Sequence, residues 1–155
     1  MTAKEYLNDY KRIKRQRHIY MQTLSEVEND IISIGGVNYG DKVNSSPKND
    51  PIGNVVIELT NKKAKLGLDI AALRAKELII ENQIAKMKNI NTKYYEILVY
   101  RYMFSYDWRS ICEIIGYGRS QANEVHGRAL QKFEEIFLKN LNIGQIGHNR
   151  TLTDI

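Results

Sequence analysis

Apolar residues recur at alternating intervals of four and three over two long stretches of the chain, residues 2–34 and 52–89. Such spacing lays one apolar stripe along a helix face. We therefore predict two long amphipathic helices, each about as long as its stretch. The repeated apolar positions are Tyr10, Leu24 and Val27 in the first stretch and Leu66, Ile70, Leu73 and Ile80 in the second.

The segment between the two stretches predicts a flexible loop. Residues 35–51 hold Gly, Asn, Asp and Ser together with Pro47 and Pro51, the only two prolines of the chain. Two helices joined in this way fold back most simply as a long antiparallel, coiled-coil-like hairpin over residues 1–91. The same stripes could instead pair with a second copy, and the sequence leaves both arrangements open.

The pattern changes to shorter helices after Asn91. Thr92 is the predicted N-cap of a helix that reaches Phe104, and further helices are expected at 108–115 and from 119 to about 141. Residues 142–155 predict a flexible tail. The predicted fold class is all-α, a helical hairpin followed by a helix-turn-helix domain at 92–141.

The helix-turn-helix prediction depends on the spacing around Gly116. Ile111 and Ile115 form the inner face of one helix, the glycine opens a short turn, and Ala122 is small enough for the next helix to cross closely. A plain helical hairpin in an all-α core has the same spacing. If the motif binds DNA, the candidate contacts are Arg119, Ser120, Gln121, Asn123, Glu124 and Arg128, together with Arg109.

Residues 98–130 resemble region 4 of bacterial sigma factors. The matching pieces are Leu98-x-x-Arg101-Tyr102, Ile111-Cys112-x-x-Ile115-Gly116 and Arg128-Ala129-Leu130-x-Lys132-Phe133. The opening Met1-Thr2-Ala3-Lys4-Glu5-Tyr6-Leu7, the basic first helix, the variable middle loop and His126-Gly127-Arg128-Ala129-Leu130 extend over nearly the whole chain. Together they resemble a family of small phage proteins related to the ArpU and RinA regulators of late genes. The resemblance implies a sigma-like DNA-binding domain that activates phage transcription, with base-reading positions at Arg119, Ser120, Asn123 and Glu124. The family usually has Ser or Thr where this chain has Gly118, so promoter recognition need not be the same.

Positive charge is concentrated near the start of the chain. The net charge is +5, and residues 1–24 hold six Lys or Arg against two acidic residues, whereas residues 92–155 hold eight against seven. Arg12, Lys14 and Arg15 are therefore candidate phosphate contacts. A solvated helix face explains the same run.

No residue pattern indicates an enzyme, a cofactor or a metal. Cys112 is the single cysteine, and the three histidines lie far apart in sequence without neighbouring ligands. No apolar run approaches the roughly 20 residues of a membrane span, and the N-terminus has no apolar signal segment. A cytoplasmic location in a host bacterial cell is expected.

Three functions remain open from the sequence. The first is a sequence-specific regulator that binds double-stranded DNA, as the resemblance implies. The second is a DNA-packaging protein of the small-terminase type, which also joins a helix-turn-helix to a helical hairpin. The third is an interaction module that contacts host RNA polymerase without binding DNA. Regulators tend to be monomers or homodimers, whereas terminase subunits form large rings.

Overall fold

The structure, a computed structural model, describes residues 1–35 and 50–139, and every element in these ranges is helical. The all-α prediction is confirmed. Most of the predicted loop at 35–51, all of the tail at 142–155 and the last residues of the final helix lie outside the described residues. The helices are α1 (Ala3–Gly35), α2 (Pro51–Lys86), α3 (Thr92–Leu98), α4 (Trp108–Ile115) and α5 (Arg119–Phe133).

Local sequence signals account for most helix ends. Asn91, and not Thr92, caps α3, since its side chain accepts hydrogen bonds from the amides of Lys93 and Tyr94. Asp107 caps α4 in the same way through Ser110. Two helices continue as single π-helical segments, α3 into Val99–Met103 and α5 into Glu134–Leu138.

The described residues group into two compact units, residues 1–12 with 76–139 and residues 13–35 with 50–75. In the first unit, α3 and α5 pack against each other more extensively than any other pair of helices. The predicted domain boundary between residues 91 and 92 is not tested by this grouping and stays a prediction. Fully buried side chains form the core of this unit, namely Leu7, Ile84, Met87, Ile97, Leu98, Ile111, Ala122, Ala129 and Phe133.

The first residues of α1 belong to this core. The amide of Ala3 donates to a carboxylate oxygen of Glu134 at 3.0 Å, and the rings of Tyr6 and Phe133 lie 6.1 Å apart. Tyr6 and Tyr10 also donate from their hydroxyls to α2, at Gln83 and Glu81 respectively, both at 2.9 Å. The start of the chain is thereby held to both α2 and the end of α5.

Polar residues that interrupt the predicted stripe of α2 are accommodated in different ways. In the second unit Lys63 pairs with Glu28 of α1 at 3.3 Å. In the first unit Glu77 is fully buried. No buried side-chain oxygen or nitrogen in the described part of the chain lacks a hydrogen-bond partner, as expected when polar groups leave water.

The second unit has a thin core. Val27 is its only fully buried apolar residue among residues 13–35 and 50–75. Leu66, Ile70 and Leu73 of the predicted stripe are half-buried. The stripe is therefore covered only in part within this unit.

An aromatic cluster joins α3, α4 and α5 in the first unit. The His126 ring stacks on Tyr102 and meets the edge of Trp108 at 5.0 Å between centroids, while the Tyr102 hydroxyl lies 3.1 Å from His126 Nε2. Burial lowers the pKa of His126 from its ordinary value to about 4, and the charges of Arg101 and Lys4 act in the same direction. His126 is thus neutral in the folded protein at neutral pH.

This low pKa predicts a loss of stability in mild acid. Between pH 6.5 and about 4 the imidazole of His126 binds a proton in the unfolded chain but not in the folded one. The free energy of unfolding contributed by this residue is therefore complete above pH 6.5 and falls as the pH is lowered towards 4. We expect thermal melts from pH 7 to pH 5 to show a smaller decrease in Tm for His126→Gln than for the wild type. His18→Gln, at an exposed position of α1, is the matched control and should show the same decrease in Tm as the wild type. A decrease in Tm for His126→Gln equal to that of the wild type would contradict the prediction.

Candidate nucleic-acid interface

A tight turn sets the direction of α5 relative to α4. Gly116 has a φ of 72°, which is the left-handed conformation that glycine adopts without strain. The amides of Gly116 and Tyr117 both donate to the carbonyl of Cys112, at 3.0 and 3.2 Å. Gly118 precedes α5 without a side-chain cap. The first-turn amides of α5 are therefore not covered by a capping side chain.

α5 has one buried and one exposed face. Ala122, predicted to lie where the helices cross closely, is fully buried, and so are Ala129 and Phe133. Because side chains three and four apart share a face of a helix, burial of these three turns the opposite face of α5 outward, while Val125, His126 and Leu130 between the two faces are half-buried. The predicted contact residues of α5 are all exposed: Arg119, Ser120, Gln121, Asn123, Glu124 and Arg128.

Arg119 lies on the face of an aromatic ring. Its guanidinium carbon is 5.2 Å from the centroid of Trp108, and that of Arg101 is 5.1 Å from the same ring. Arg101 also donates to the carbonyl of Tyr106 at 3.1 Å. Such cation–π contacts hold an arginine in place while its N–H donors stay available.

Trp108 and Arg101 were not predicted as site residues. Trp108 is the only tryptophan of the chain and is followed directly by Arg109, which was the available signal. The contact to Arg119 depends on the turn at Gly116, so sequence spacing alone could not locate it.

Two of the predicted arginines are paired with carboxylates on their own helices. Arg128 pairs with Glu124 one turn earlier on α5, and Arg109 pairs with Glu113 on α4 at 3.2 Å. All four side chains are largely exposed, so each pair contributes little to stability. Both arginines can exchange these partners for a phosphate group.

The basic run on α1 is partly engaged. Arg12, Lys14 and Arg15 are exposed, and Arg12 pairs with Asp9 at 3.2 Å. Lys11 lies 5.6 Å from the centroid of Tyr102, and burial together with the nearby charge of Arg101 lowers its pKa. Lys11 thus packs within the first unit, whereas Arg12, Lys14 and Arg15 face solvent.

A second group of aromatic residues is exposed between α3 and α4. The rings of Tyr100, Phe104 and Tyr106 lie within 6.1 Å of one another between centroids. Phe104 is 54% exposed and Tyr106 is 40% exposed. Tyr102, by contrast, is buried in the core of the first unit.

No helix in the described ranges is long and apolar enough to cross a membrane. Within the same ranges, no group of three or more His, Cys, Asp or Glu side chains is arranged to hold a metal ion. No protein-family model, curated protein or solved structure matches the chain. The resemblance to sigma region 4 and to the ArpU and RinA regulators therefore stays a prediction.

Proposed function

We propose that this protein is a sequence-specific transcription regulator that binds double-stranded DNA, with α4 and α5 as its helix-turn-helix. The observation that carries the proposal is the exposed first half of α5, where Arg119, Ser120 and Asn123 project from a helix whose opposite face is buried. In a helix-turn-helix the N-terminal residues of the second helix contact base edges in the major groove.

The residues of this face have the chemistry for reading bases. Arginine can donate two parallel hydrogen bonds to O6 and N7 of guanine, and asparagine can both donate to and accept from adenine. Trp108 supports Arg119 through the contact of 5.2 Å, which reduces the conformational freedom that the side chain would lose on binding. Ser120 and the uncapped amides of α5 suit a phosphate oxygen.

The long helices supply the second part of the proposed architecture, an antiparallel hairpin. In the first unit, Tyr6 contacts Gln83, and Tyr10, one turn later on α1, contacts Glu81, which is earlier on α2. The two helices therefore run antiparallel in this unit. Such a hairpin would present Arg12, Lys14 and Arg15 to solvent as additional phosphate contacts. As the resemblance implies, we propose a phage or prophage regulator that activates late genes in the host cytoplasm.

A second candidate function is a protein-interaction module that contacts host RNA polymerase. The exposed aromatic group of Tyr100, Phe104 and Tyr106 favours it, because aromatic side chains are enriched at protein interfaces. Contact with RNA polymerase does not itself exclude DNA binding, since this aromatic group and the exposed face of α5 use different residues.

Arg119→Ala tests the base-reading role. The wild-type protein is first used to select a cognate duplex from a random pool. The wild type and Arg119→Ala are then titrated, at one salt concentration, with the cognate duplex and with a scrambled duplex. We expect weaker binding to the cognate duplex by about 1–3 kcal/mol, or roughly 5- to 150-fold, because one bidentate arginine–guanine contact is lost. Binding to the scrambled duplex and Tm should change little.

Gln131→Ala, at an exposed position in the C-terminal half of α5, is the matched control and should bind both duplexes like the wild type. Equal losses on the two duplexes for Arg119→Ala would make it a phosphate contact. Failure of the wild type to select any consensus would contradict the proposed function and leave the interaction module as the leading candidate.

The basic run on α1 is tested by its effect on the salt dependence of DNA binding. Replacing Arg12, Lys14 and Arg15 together by Ala should reduce the slope of log K against log salt by up to about three, because each lost phosphate contact removes one counter-ion release. The control removes three exposed lysines of α2 instead: Lys62, Lys76 and Lys86. If both triple variants change the slope equally, the effect comes from net charge and the run makes no specific contact.

A further inference from the structure

α2 carries a second apolar stripe within the second unit. Ile57, Ala64, Leu68 and Ala71, with the polar Asn61 between the first two, follow one another at intervals of four and three, and all are exposed. Ile57 is 61% exposed and Leu68 is 74% exposed. At 100° per residue this stripe lies about half a turn around the helix from the half-buried stripe of Leu66, Ile70 and Leu73.

α1 has no equivalent outer stripe. Its exposed large apolar residues in the second unit are Ile19, Met21 and Ile32. Ile19 and Met21 are two residues apart and therefore project in nearly opposite directions, and Ile32 follows three turns after Met21. The outer face of α1 is otherwise polar and charged. The second stripe is thus a feature of α2 alone among the two helices of this unit, because the exposed apolar residues of α1 form no stripe.

The second unit lacks the buried apolar area that would stabilise two long helices by themselves. Val27 is its only fully buried apolar residue among residues 13–35 and 50–75. A helix that is apolar on two opposite faces is ordinarily covered on both, and a contiguous exposed apolar surface marks an interaction site.

Charges beside the stripe favour a second copy of this chain as the occupant. Glu58 and Lys65 flank the same side of the stripe, and neither forms an ion pair within the described part of the chain. They are seven residues apart, about 10 Å along the helix axis, so they do not pair with each other within one α2.

One twofold axis brings both the apolar and the charged residues of two α2 helices close to their counterparts. If two copies of α2 run antiparallel about a twofold axis between residues 62 and 63, Glu58 of each copy lies two residues, or about 3 Å along the axis, from the level of Lys65 of the other, and both flank the same edge of the interface. The same operation sets Ile57 against Leu68 and Asn61 against Ala64. In a parallel pair the residues that flank the stripe opposite Glu58 and Lys65 are Gly53 and Thr60, so no opposite charges meet.

We propose that α2 is a homodimerisation helix, through which two copies of the chain pair antiparallel along the stripe from Ile57 to Leu68. The paired segment spans about 12 residues, or roughly 18 Å. An interface of this length dissociates on dilution, so the dimer forms in a concentration-dependent way.

Sedimentation of the full-length chain tests the proposal. The wild type should change with rising concentration from 18.0 kDa to twice that mass. Leu68→Asp should remain at the monomer mass, because it places a charge in the interface. Ile32→Asp, at a 70% exposed position of α1, is the matched control and should dimerise like the wild type. Circular dichroism checks that both variants keep their helical content. A monomeric wild type at its highest soluble concentration, or a dimer that survives Leu68→Asp, would overturn the proposal.

Charge exchange tests the antiparallel register separately. Glu58→Lys and Lys65→Glu should each weaken dimerisation several-fold, because each places like charges opposite one another. The double variant restores two opposite-charge pairs and should dimerise within about twofold of the wild type. If the double variant is weaker than either single variant, the proposed register is wrong. DNA binding enters neither measurement, so this result stands apart from the proposed function.

Discussion

The packing of α5 against α3 is the interaction on which the other features of the first unit depend. Ala122 and Ala129 are fully buried on α5, and residues with such short side chains allow two helix backbones to approach closely. Phe133 follows on the same face and meets the ring of Tyr6 from the start of α1. Because Ala122, Ala129 and Phe133 bury one face of α5, the opposite face is exposed from Arg119 to Arg128. A larger side chain at Ala122 would separate the helices and rotate that surface.

The exposed surface is organised by contacts that contribute little to stability. The guanidinium of Arg119 lies over Trp108, and Arg128 pairs with Glu124 on the same helix. Such contacts limit where an arginine can lie without removing its charge from solvent. They are replaceable, since a phosphate or a base edge offers stronger hydrogen bonds than an exposed carboxylate. A surface of this kind is suited to binding an anionic partner.

Much of the fold could be predicted because its signals are local. Gly116 requires a turn wherever its neighbours form helices, and the alternating apolar positions predict α1 and α2 within a few residues. The N-cap of α3 was misassigned because the side chains of Asn91 and Thr92 can both cap a helix. Which of them does so depends on the residue at which the first turn begins, and the sequence does not give that residue. The joining of Ala3 to Glu134 depends on two residues 131 positions apart, and no local pattern carries that information.

The candidate site shows the same division. The exposed face of α5 follows from the positions of its buried residues, so Arg119, Ser120 and Asn123 could be selected from spacing alone. The cluster of Arg101, Trp108 and Arg119 could not, because it combines residues from three helical segments. The outer stripe of α2 is visible in the sequence, but its meaning requires knowing that the other stripe is the half-buried one.

The central claim, that the exposed face of α5 contacts DNA, is tested most directly by mapping amide chemical shifts in a ¹⁵N-labelled protein during titration with a selected cognate duplex. The account predicts that the largest changes fall on residues 119–124, with smaller changes at Arg109 and at the indole N–H of Trp108. A duplex that binds while its largest shifts lie outside α4 and α5, for example along α2, would contradict it.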